Sequence, residues 1–220
     1  MAGPLKIAHR GASGYEKENT LPAFKKALEL GVDMIEFDVH VSQDGKAVVI
    51  HDETVDRTTD SSGLVRNKTI QELQALGIPT LEQVLELIHK KALVYIELKT
   101  SDTPEVVARI ITDYVANKAW HYNDFLVCSD DPVTLLTFKN KLPYVAVGFV
   151  FDLGQTMSEM PKVPVDVFVF HQESIDNDLV AHVRQLGKRI FAYGVNTKEE
   201  SKRLKQLGID GIISDYPDRI

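Results

Sequence analysis

The sequence predicts an α/β fold, namely a (β/α)8 TIM barrel with a small β-hairpin insertion after strand 2. Eight short apolar runs alternate with helix-like segments along the 220 residues, as expected for βα units in a parallel sheet. Most of these runs are continuously apolar, which suits strands that are buried on both faces. No linker-like stretch interrupts the series, so we expect a single domain over residues 1–220. A doubly wound open sheet is the alternative fold.

The predicted strands lie at residues 6–9, 34–39, 93–98, 125–129, 145–149, 165–170, 189–193 and 211–214. Capping residues and prolines mark the helices between them. Thr80 and Gln83 form a capping-box pattern, and Pro104 opens a segment with an apolar stripe. Gly31 and Gly208 each end a helix just before a strand. The remaining helices are expected after Thr20 and over residues 132–141, 178–186 and 198–207.

A hairpin is predicted where Asp44-Gly45 separates two apolar runs. If these two residues form the turn, His51 pairs opposite Asp38, and a three-residue turn moves the pairing by one position. In either register the strand returns His51 to the side of Glu36 and Asp38.

Composition limits the possible partners and surroundings. The chain has 32 acidic and 25 basic residues and a formal charge of -7, which argues against a nucleic-acid backbone as partner. Cys128 is the only cysteine, so no internal disulfide can form. We expect no transmembrane segment, because no apolar run reaches the roughly 20 residues of a helical span. The start of the sequence has no apolar leader, so a cytoplasmic location is expected. The oligomeric state stays open.

Acidic residues occur inside two apolar strands, where an unpaired charge is costly. Glu36 and Asp38 alternate along one strand and therefore face the same side, and Glu97 lies on the predicted neighbouring strand. In a barrel, side chains at the carboxyl ends of the strands carry the chemistry. Three carboxylates at one rim predict a divalent cation site, with Mg²⁺ or Ca²⁺ favoured over zinc. A solvated acidic face is the alternative interpretation.

Two histidines and two basic residues stand at the same strand ends. His9 and Arg10 follow the first strand, where a histidine can meet a reacting oxygen and a guanidinium can bind an anion. A buried structural histidine and a surface charge are the alternatives. Lys99 either extends its charged end to solvent, pairs with Glu97, or supplies charge to a phosphate. The histidines that lack acidic partners at matching spacing are interpreted as structural, and these are His40, His89, His121 and His182.

Ordered motifs span nearly the whole chain, namely His9-Arg10-Gly11, Glu18-Asn19-Thr20, Glu36-x-Asp38, His51-Asp52, Arg57-Thr58-Thr59, Ile78-Pro79-Thr80-Leu81, Glu97-x-Lys99 and Gly208-x-Asp210-Gly211-Ile212. In this combination they resemble the glycerophosphodiester phosphodiesterase family. The resemblance implies a (β/α)8 barrel that uses a divalent cation to hydrolyse small glycerophosphodiesters to sn-glycerol 3-phosphate and an alcohol. It also implies metal ligands at Glu36, Asp38 and Glu97, an acid/base pair of His9 and His51, and phosphate contacts from Arg10 and Lys99.

Two departures from the family pattern concern the substrate. The stretch before Ile78 is shorter than usual, which predicts a reduced pocket wall on the side of the leaving alcohol. Tyr193 stands where the family commonly has a tryptophan, so it keeps an aromatic face toward the glycerol half and adds a hydroxyl. Alternative functions are a lysophospholipase D-like or cyclising phosphodiesterase on the same scaffold, and a barrel that binds phosphodiesters without turnover.

Overall fold

A computed structural model of the chain describes residues 3–155, 157–159 and 163–220. Its strands are β1 (Leu5–Ala8), β2 (Met34–Val41), β3 (Ala47–Val49), β4 (Leu93–Leu98), β5 (Phe125–Ser129), β6 (Ala146–Val150), β7 (Val167–His171), β8 (Arg189–Tyr193) and β9 (Gly211–Ser214). All except β3 run parallel, and β1 pairs with both β2 and β9. The eight parallel strands therefore close into a barrel, which confirms the predicted TIM fold.

The helices are α1 (Leu21–Glu29), α2 (Ile70–Ala75), α3 (Leu81–Ile88), α4 (Thr103–Asn117), α5 (Pro132–Lys141), α6 (Asn177–Gln185) and α7 (Lys198–Leu207). Short 3-10 turns lie at Val65–Asn67, Tyr122–Asp124, Met157–Glu159, Gln172–Ser174 and Pro217–Arg219. The capping box of Thr80 and Gln83 forms as predicted. Helix α2, which was not predicted from the sequence, has 6 residues and its own capping box of Thr69 and Glu72. Within the described residues, no helix combines the length and apolarity needed to cross a bilayer.

Strand alternation divides the apolar side chains into an inner and an outer set. The outer set packs against the surrounding helices, whose fully buried side chains include Phe24, Leu85 and Phe138. The inner set fills the barrel and consists of Ile7, Met34, Tyr95, Leu126, Cys128, Val167, Val169, Phe191 and Ile213. Glu36 and Glu97 follow Met34 and Tyr95 by two residues, so they point inward from the next layer up. The apolar filling thus ends where the charged residues begin.

The hairpin has the register of a three-residue turn. Strand β3 pairs antiparallel with β2, with Val39 opposite Val49 and Val41 opposite Ala47. The Ser42 N–H donates to the Lys46 carbonyl at 2.9 Å, which leaves residues 43–45 as the loop. Gly45 takes a positive φ of 75°, as such loops require. The two-residue register is therefore wrong, and His51 follows the residue that faces Asp38 instead of facing it.

Candidate active site

All eight site residues predicted from the sequence line one cavity at the carboxyl end of the barrel. We call it the rim cavity, and its volume is about 180 Å³. Its predicted members are His9, Arg10, Glu36, Asp38, His51, Glu97, Lys99 and Tyr193. Further lining comes from Tyr95, Asp130, Val150, Asp152, Val169 and Ile213. The strand ends thus bring together residues that are far apart in the sequence.

Three carboxylates form an acidic cluster in the rim cavity. Each of Glu36, Asp38 and Glu97 offers an oxygen, and these atoms lie within 4.8 Å of one another. The register places Asp38 directly beside Glu97 on β2 and β4. Burial, followed by the charge of Asp38, raises the pKa of Glu36 to about 8 and raises the pKa of Glu97 as well. Oxygen ligands at this spacing fit a hard cation with bond lengths of about 2.0–2.6 Å.

Neighbouring donors orient the acidic cluster. The side-chain amide of Asn19 donates to Asp38 Oδ2 at 2.9 Å, and the backbone N–H of Arg10 donates to Glu36 Oε2 at 2.7 Å. Lys99 Nζ donates to Glu97 Oε1 at 2.8 Å, so the predicted pair of these two residues forms inside the cavity. Asn19 is buried and has a φ of 56°, while the cap of α1 falls to Thr20. The contact between Asn19 and Asp38 was not predicted from the sequence.

His9 is bound by an aspartate from the opposite end of the chain. Its Nδ1 lies 2.6 Å from Asp215 Oδ1, and Asp215 also accepts hydrogen bonds from Ser13 and Asn196 at 2.9 and 2.7 Å. Burial lowers the pKa of His9, but the bond to Asp215 and the charge of Glu36 outweigh it and raise the pKa above its usual value. With Nδ1 bound to a carboxylate, Nε2 is the nitrogen available for proton exchange.

His51 has a similar partner in a different charge environment. Its Nδ1 lies 2.7 Å from Asp52 Oδ1. Arg57 donates to both oxygens of Asp52, at 2.7 and 3.0 Å, and this bond is the main reason that the pKa of Asp52 lies far below its usual range. The backbone carbonyl of His51 bonds to His40 Nε2 at 2.9 Å. His40, one of the histidines interpreted as structural, lies on β2.

A buried donor of Arg10 lacks a hydrogen bond. Its Nη1 donates to Glu18 Oε1 at 2.8 Å, and its Nε lies 3.3 Å from Asp38 Oδ2. Nε is buried, yet no described group completes a hydrogen bond to it. A buried unsatisfied donor carries a free-energy cost of about 1–3 kcal/mol, which an anionic ligand oxygen would remove. Arg10 is therefore suited to hold an anion beside the acidic cluster.

Tyr193 presents its ring to the rim cavity, while its hydroxyl is already bonded. The hydroxyl donates to the Phe151 carbonyl at 3.1 Å. The ring packs edge-on against His171, with centroids 5.2 Å apart. Tyr193 therefore lines the rim cavity with its hydroxyl bonded to the protein, and its contact with the glycerol half stays a prediction.

Three acidic residues of the site were not predicted from the sequence. Asp215 directly follows β9, and Asp130 and Asp152 follow β5 and β6 within two residues. The strand-end rule that identified His9 and Lys99 applies to all three of them. None lies inside an apolar strand, so their charge carried no signal of unusual burial.

A second cavity of about 350 Å³ adjoins the site, and we call it the side cavity. His51 lines both cavities. Leu76, Gly77 and Ile78 belong to the shortened stretch and form part of its wall. Its other lining residues are Glu16, Lys17, Glu18, Asn19, Thr20, Pro22, Val49, Ile50, Thr58 and Thr59. The short segment thus leaves open space next to one histidine.

A closed barrel whose rim joins an acidic cluster to two His–Asp pairs and two cationic side chains has the parts of a phosphoric diester hydrolase. Residues 9–219 match the glycerophosphoryl diester phosphodiesterase family. The chain belongs to this family. The match confirms both the resemblance seen in the motifs and the predicted class of enzyme.

Known relatives agree in length and fold. A glycerophosphodiester phosphodiesterase from Caldanaerobacter subterraneus subsp. tengcongensis is 35% identical, and the match covers 98% of this chain and 96% of the relative. The human lysophospholipase D GDPD1 is 26% identical over 97% of this chain and 84% of its own. A phosphodiesterase from Oleispira antarctica, solved in complex with the product sn-glycerol-3-phosphate, has a TM-score of 0.89 and 27% identity, covering 99% of this chain and 95% of the other.

Proposed function

We propose that this protein hydrolyses glycerophosphodiesters to sn-glycerol 3-phosphate and an alcohol, with a divalent cation, Mg²⁺ or Ca²⁺, held by Glu36, Asp38 and Glu97. The observation that carries the proposal is that these acids share one cavity with two aspartate-bound histidines. The similar structure that holds sn-glycerol-3-phosphate supports the substrate class. When bound, the cation would polarise the phosphoryl group and offset the charge that develops on it.

Arg10 and Lys99 supply the positive charge for the phosphate. Arg10 Nε is buried without a hydrogen bond, although it lies 3.3 Å from Asp38 Oδ2, and a guanidinium can bind phosphate oxygens in fork fashion. Lys99 lies 2.8 Å from Glu97 and 3.9 Å from Asp38. It therefore stands beside the acidic cluster, where it can contact both the ligand carboxylates and a phosphate oxygen. The ring of Tyr193 packs against the glycerol half.

His9 and His51 divide the proton transfer. One must take a proton from the attacking water while the other gives a proton to the leaving alkoxide. Asp215 is held by the neutral groups of Ser13 and Asn196, so its full charge favours a protonated His9. Asp52 is instead shared between His51 and the cationic Arg57, so the two histidines stand beside partners of different net charge. We therefore assign His9 as the general acid and His51 as the general base in hydrolysis.

A direct test is to incubate the enzyme with glycerophosphocholine and Mg²⁺ and to measure choline and sn-glycerol 3-phosphate. Both products should appear in equal amounts. Alanine at His9 or His51 should reduce the rate by at least the roughly 10²–10⁴-fold typical of acid/base groups. A loss below about tenfold at either position would remove that histidine from the mechanism. A barrel that only binds phosphodiesters would release neither product.

A lysophospholipase D-like activity is the second candidate, and the side cavity favours it. Apolar side chains of Val49, Ile50, Leu76 and Ile78 line this cavity beside His51, a feature that the sequence alone did not reveal. The human relative of that name is consistent with it. Release of choline from lysophosphatidylcholine at a rate similar to that from glycerophosphocholine would support this activity, and a cyclic phosphate product would indicate a cyclising enzyme.

A further inference from the structure

Arg57 lies outside the lining of both cavities and yet is bonded to two carboxylates of the site. It donates to Asp52 from Nε at 2.7 Å and from Nη2 at 3.0 Å. It donates to Glu18 from Nη1 at 2.8 Å and from Nη2 at 2.7 Å. All three of its side-chain nitrogens are thereby engaged, on four carboxylate oxygens. Arg57 is thus fixed between two anions that belong to different segments of the chain.

The two carboxylates each hold one proposed site residue. Asp52 Oδ1 lies 2.7 Å from His51 Nδ1, and Glu18 Oε1 accepts from Arg10 Nη1 at 2.8 Å. Arg57 Nη2 donates to these same two oxygens. One nitrogen atom therefore stands between the atom that orients the proton-transfer histidine and the atom that orients the phosphate-binding arginine.

We propose that Arg57 is a positioning residue that couples His51 to Arg10, so that the proton-transfer group and the phosphate-binding group are held as one unit. This inference rests on the proposed function of the site. A planar guanidinium with five N–H donors can satisfy two carboxylates at once, whereas a lysine ammonium has three donors and no fork. An isolated surface ion pair would contribute little, and it would not engage the oxygens that hold two other side chains.

The coupling predicts a characteristic kinetic change. Without Arg57, Asp52 and Glu18 lose their shared partner, so His51 and Arg10 both become less well oriented. For Arg57→Ala we expect kcat to fall and KM to rise, with kcat/KM lower by roughly 10²-fold, as expected for a small misplacement of reacting groups. Arg57→Lys should recover part of the loss. Added guanidinium should partly restore Arg57→Ala.

Arg184 provides a matched control. Its side chain is 43% exposed against 47% for Arg57, and it pairs with Asp210 at 2.9 Å. It belongs to α6 and lines neither the rim cavity nor the side cavity among the described residues. Arg184→Ala should leave kcat and KM unchanged. Melting temperatures of both variants separate a loss of stability from a loss of orientation.

The experiment measures glycerophosphocholine hydrolysis by the full chain with Mg²⁺ for Arg57→Ala, Asp52→Ala, Glu18→Ala and the two double variants that contain Arg57→Ala. Coupling predicts that each double variant loses much less than the product of its single losses. Fully multiplicative losses, or an Arg57→Ala variant with kcat and KM within about twofold of Arg184→Ala, would overturn the inference. If Arg57→Ala does not fold, Arg57→Lys replaces it under the same criteria.

A second measurement separates this inference from the proposed function. If the wild-type protein hydrolyses no glycerophosphodiester, the proposed function fails, but binding of sn-glycerol 3-phosphate with Mg²⁺ can still be measured by calorimetry. Arg57→Ala should then weaken binding by about tenfold, since Arg10 is less well held, while Arg184→Ala should bind like the wild type. Equal affinities in both variants would count against the coupling.

Discussion

His9 Nδ1 lies 2.6 Å from Asp215 Oδ1, a contact that joins residues 206 positions apart. His9 follows the first strand of the barrel and Asp215 follows the last, and these two strands are paired. The contact therefore exists only when the barrel is closed. The orientation of His9, the proposed general acid, thus depends on closure of the barrel.

Asp215→Asn should reduce kcat/KM by roughly tenfold to hundredfold, the range for partners that orient a functional histidine. The bond to Asp215 is one of the causes that raise the pKa of His9, so its loss should lower that pKa. A general acid must be protonated, and the alkaline limb of the pH–rate profile should therefore move to lower pH. Steady-state kinetics across pH provide the check. An unchanged alkaline limb would show that His9 is not the acid.

Metal-free protein should become less stable as pH rises. Burial and Asp38 raise the pKa of Glu36 from 4.5 to about 8. A carboxyl with a raised folded-state pKa stabilises the fold below pH 4.5, and this contribution is lost as pH rises through about 8. Added Mg²⁺ should restore stability by binding the folded state, by about 2.7 kcal/mol at a free concentration 100 times its Kd.

Glu36→Gln should make the metal-free protein more stable at pH 8 while abolishing activity, because an amide carries no charge to bury. Thermal melts in EDTA across pH measure this effect. Glu29→Gln is the control, since the Glu29 side chain is 54% exposed and pairs only with Lys26 in the described residues. If Glu36→Gln and wild type lose stability in parallel as pH rises, the buried charge of Glu36 is not the cause of that loss.

Tyr193→Phe should retain most of the activity. The hydroxyl of Tyr193 is bonded to the Phe151 carbonyl, so its removal costs the protein a hydrogen bond of about 0.5–1.5 kcal/mol and takes no donor from the substrate. Tyr193→Ala removes the ring and should raise KM for glycerophosphocholine more than Tyr193→Phe does. A Tyr193→Phe variant as impaired as Tyr193→Ala would mean that the hydroxyl binds substrate.

The leaving alcohol should be weakly discriminated. The proposed substrate contacts of Arg10, Lys99 and Tyr193 all belong to the glycerophosphate half, and no contact is assigned to the leaving alcohol. We expect glycerophosphodiesters of choline, ethanolamine and glycerol to have kcat/KM values within about tenfold of one another. Contacts with the leaving alcohol that contribute less than ~1.4 kcal/mol change kcat/KM by less than tenfold. Diesters without the glycerol moiety should be poor substrates. Equal cleavage of bis(p-nitrophenyl) phosphate and glycerophosphocholine would contradict this division of the site.

The sequence was sufficient to predict the barrel and eight residues of its rim cavity for a physical reason. Glu36 and Glu97 stand inside apolar strands, and strand alternation fixes the face to which they point. Parallel strands meet at one rim, so residues that follow them converge without knowledge of the distances between them. The prediction therefore needed only local patterns and one rule of barrel geometry.

The partners of these residues required the structure. Asp215 is joined to His9 across the closure of the barrel, and nothing local to either residue specifies that contact. The hairpin register depends on whether the loop consists of residues 43–45 or of Asp44-Gly45 alone. The hydrogen bond from the Ser42 N–H to the Lys46 carbonyl identifies the three-residue loop. The bond from Tyr193 to a backbone carbonyl also has no sequence signal, because every residue offers such an acceptor.

The most direct test of the account is a ³¹P NMR time course of glycerophosphocholine with the enzyme, in Mg²⁺ or Ca²⁺ and in excess EDTA. The central claim is a cation-dependent hydrolysis in which Glu36, Asp38 and Glu97 hold the cation. With cation, the diester signal should be replaced by that of a single monoester, sn-glycerol 3-phosphate. In EDTA the diester should persist, and restoring the cation should restart the reaction. Hydrolysis at an undiminished rate in EDTA would contradict the claim.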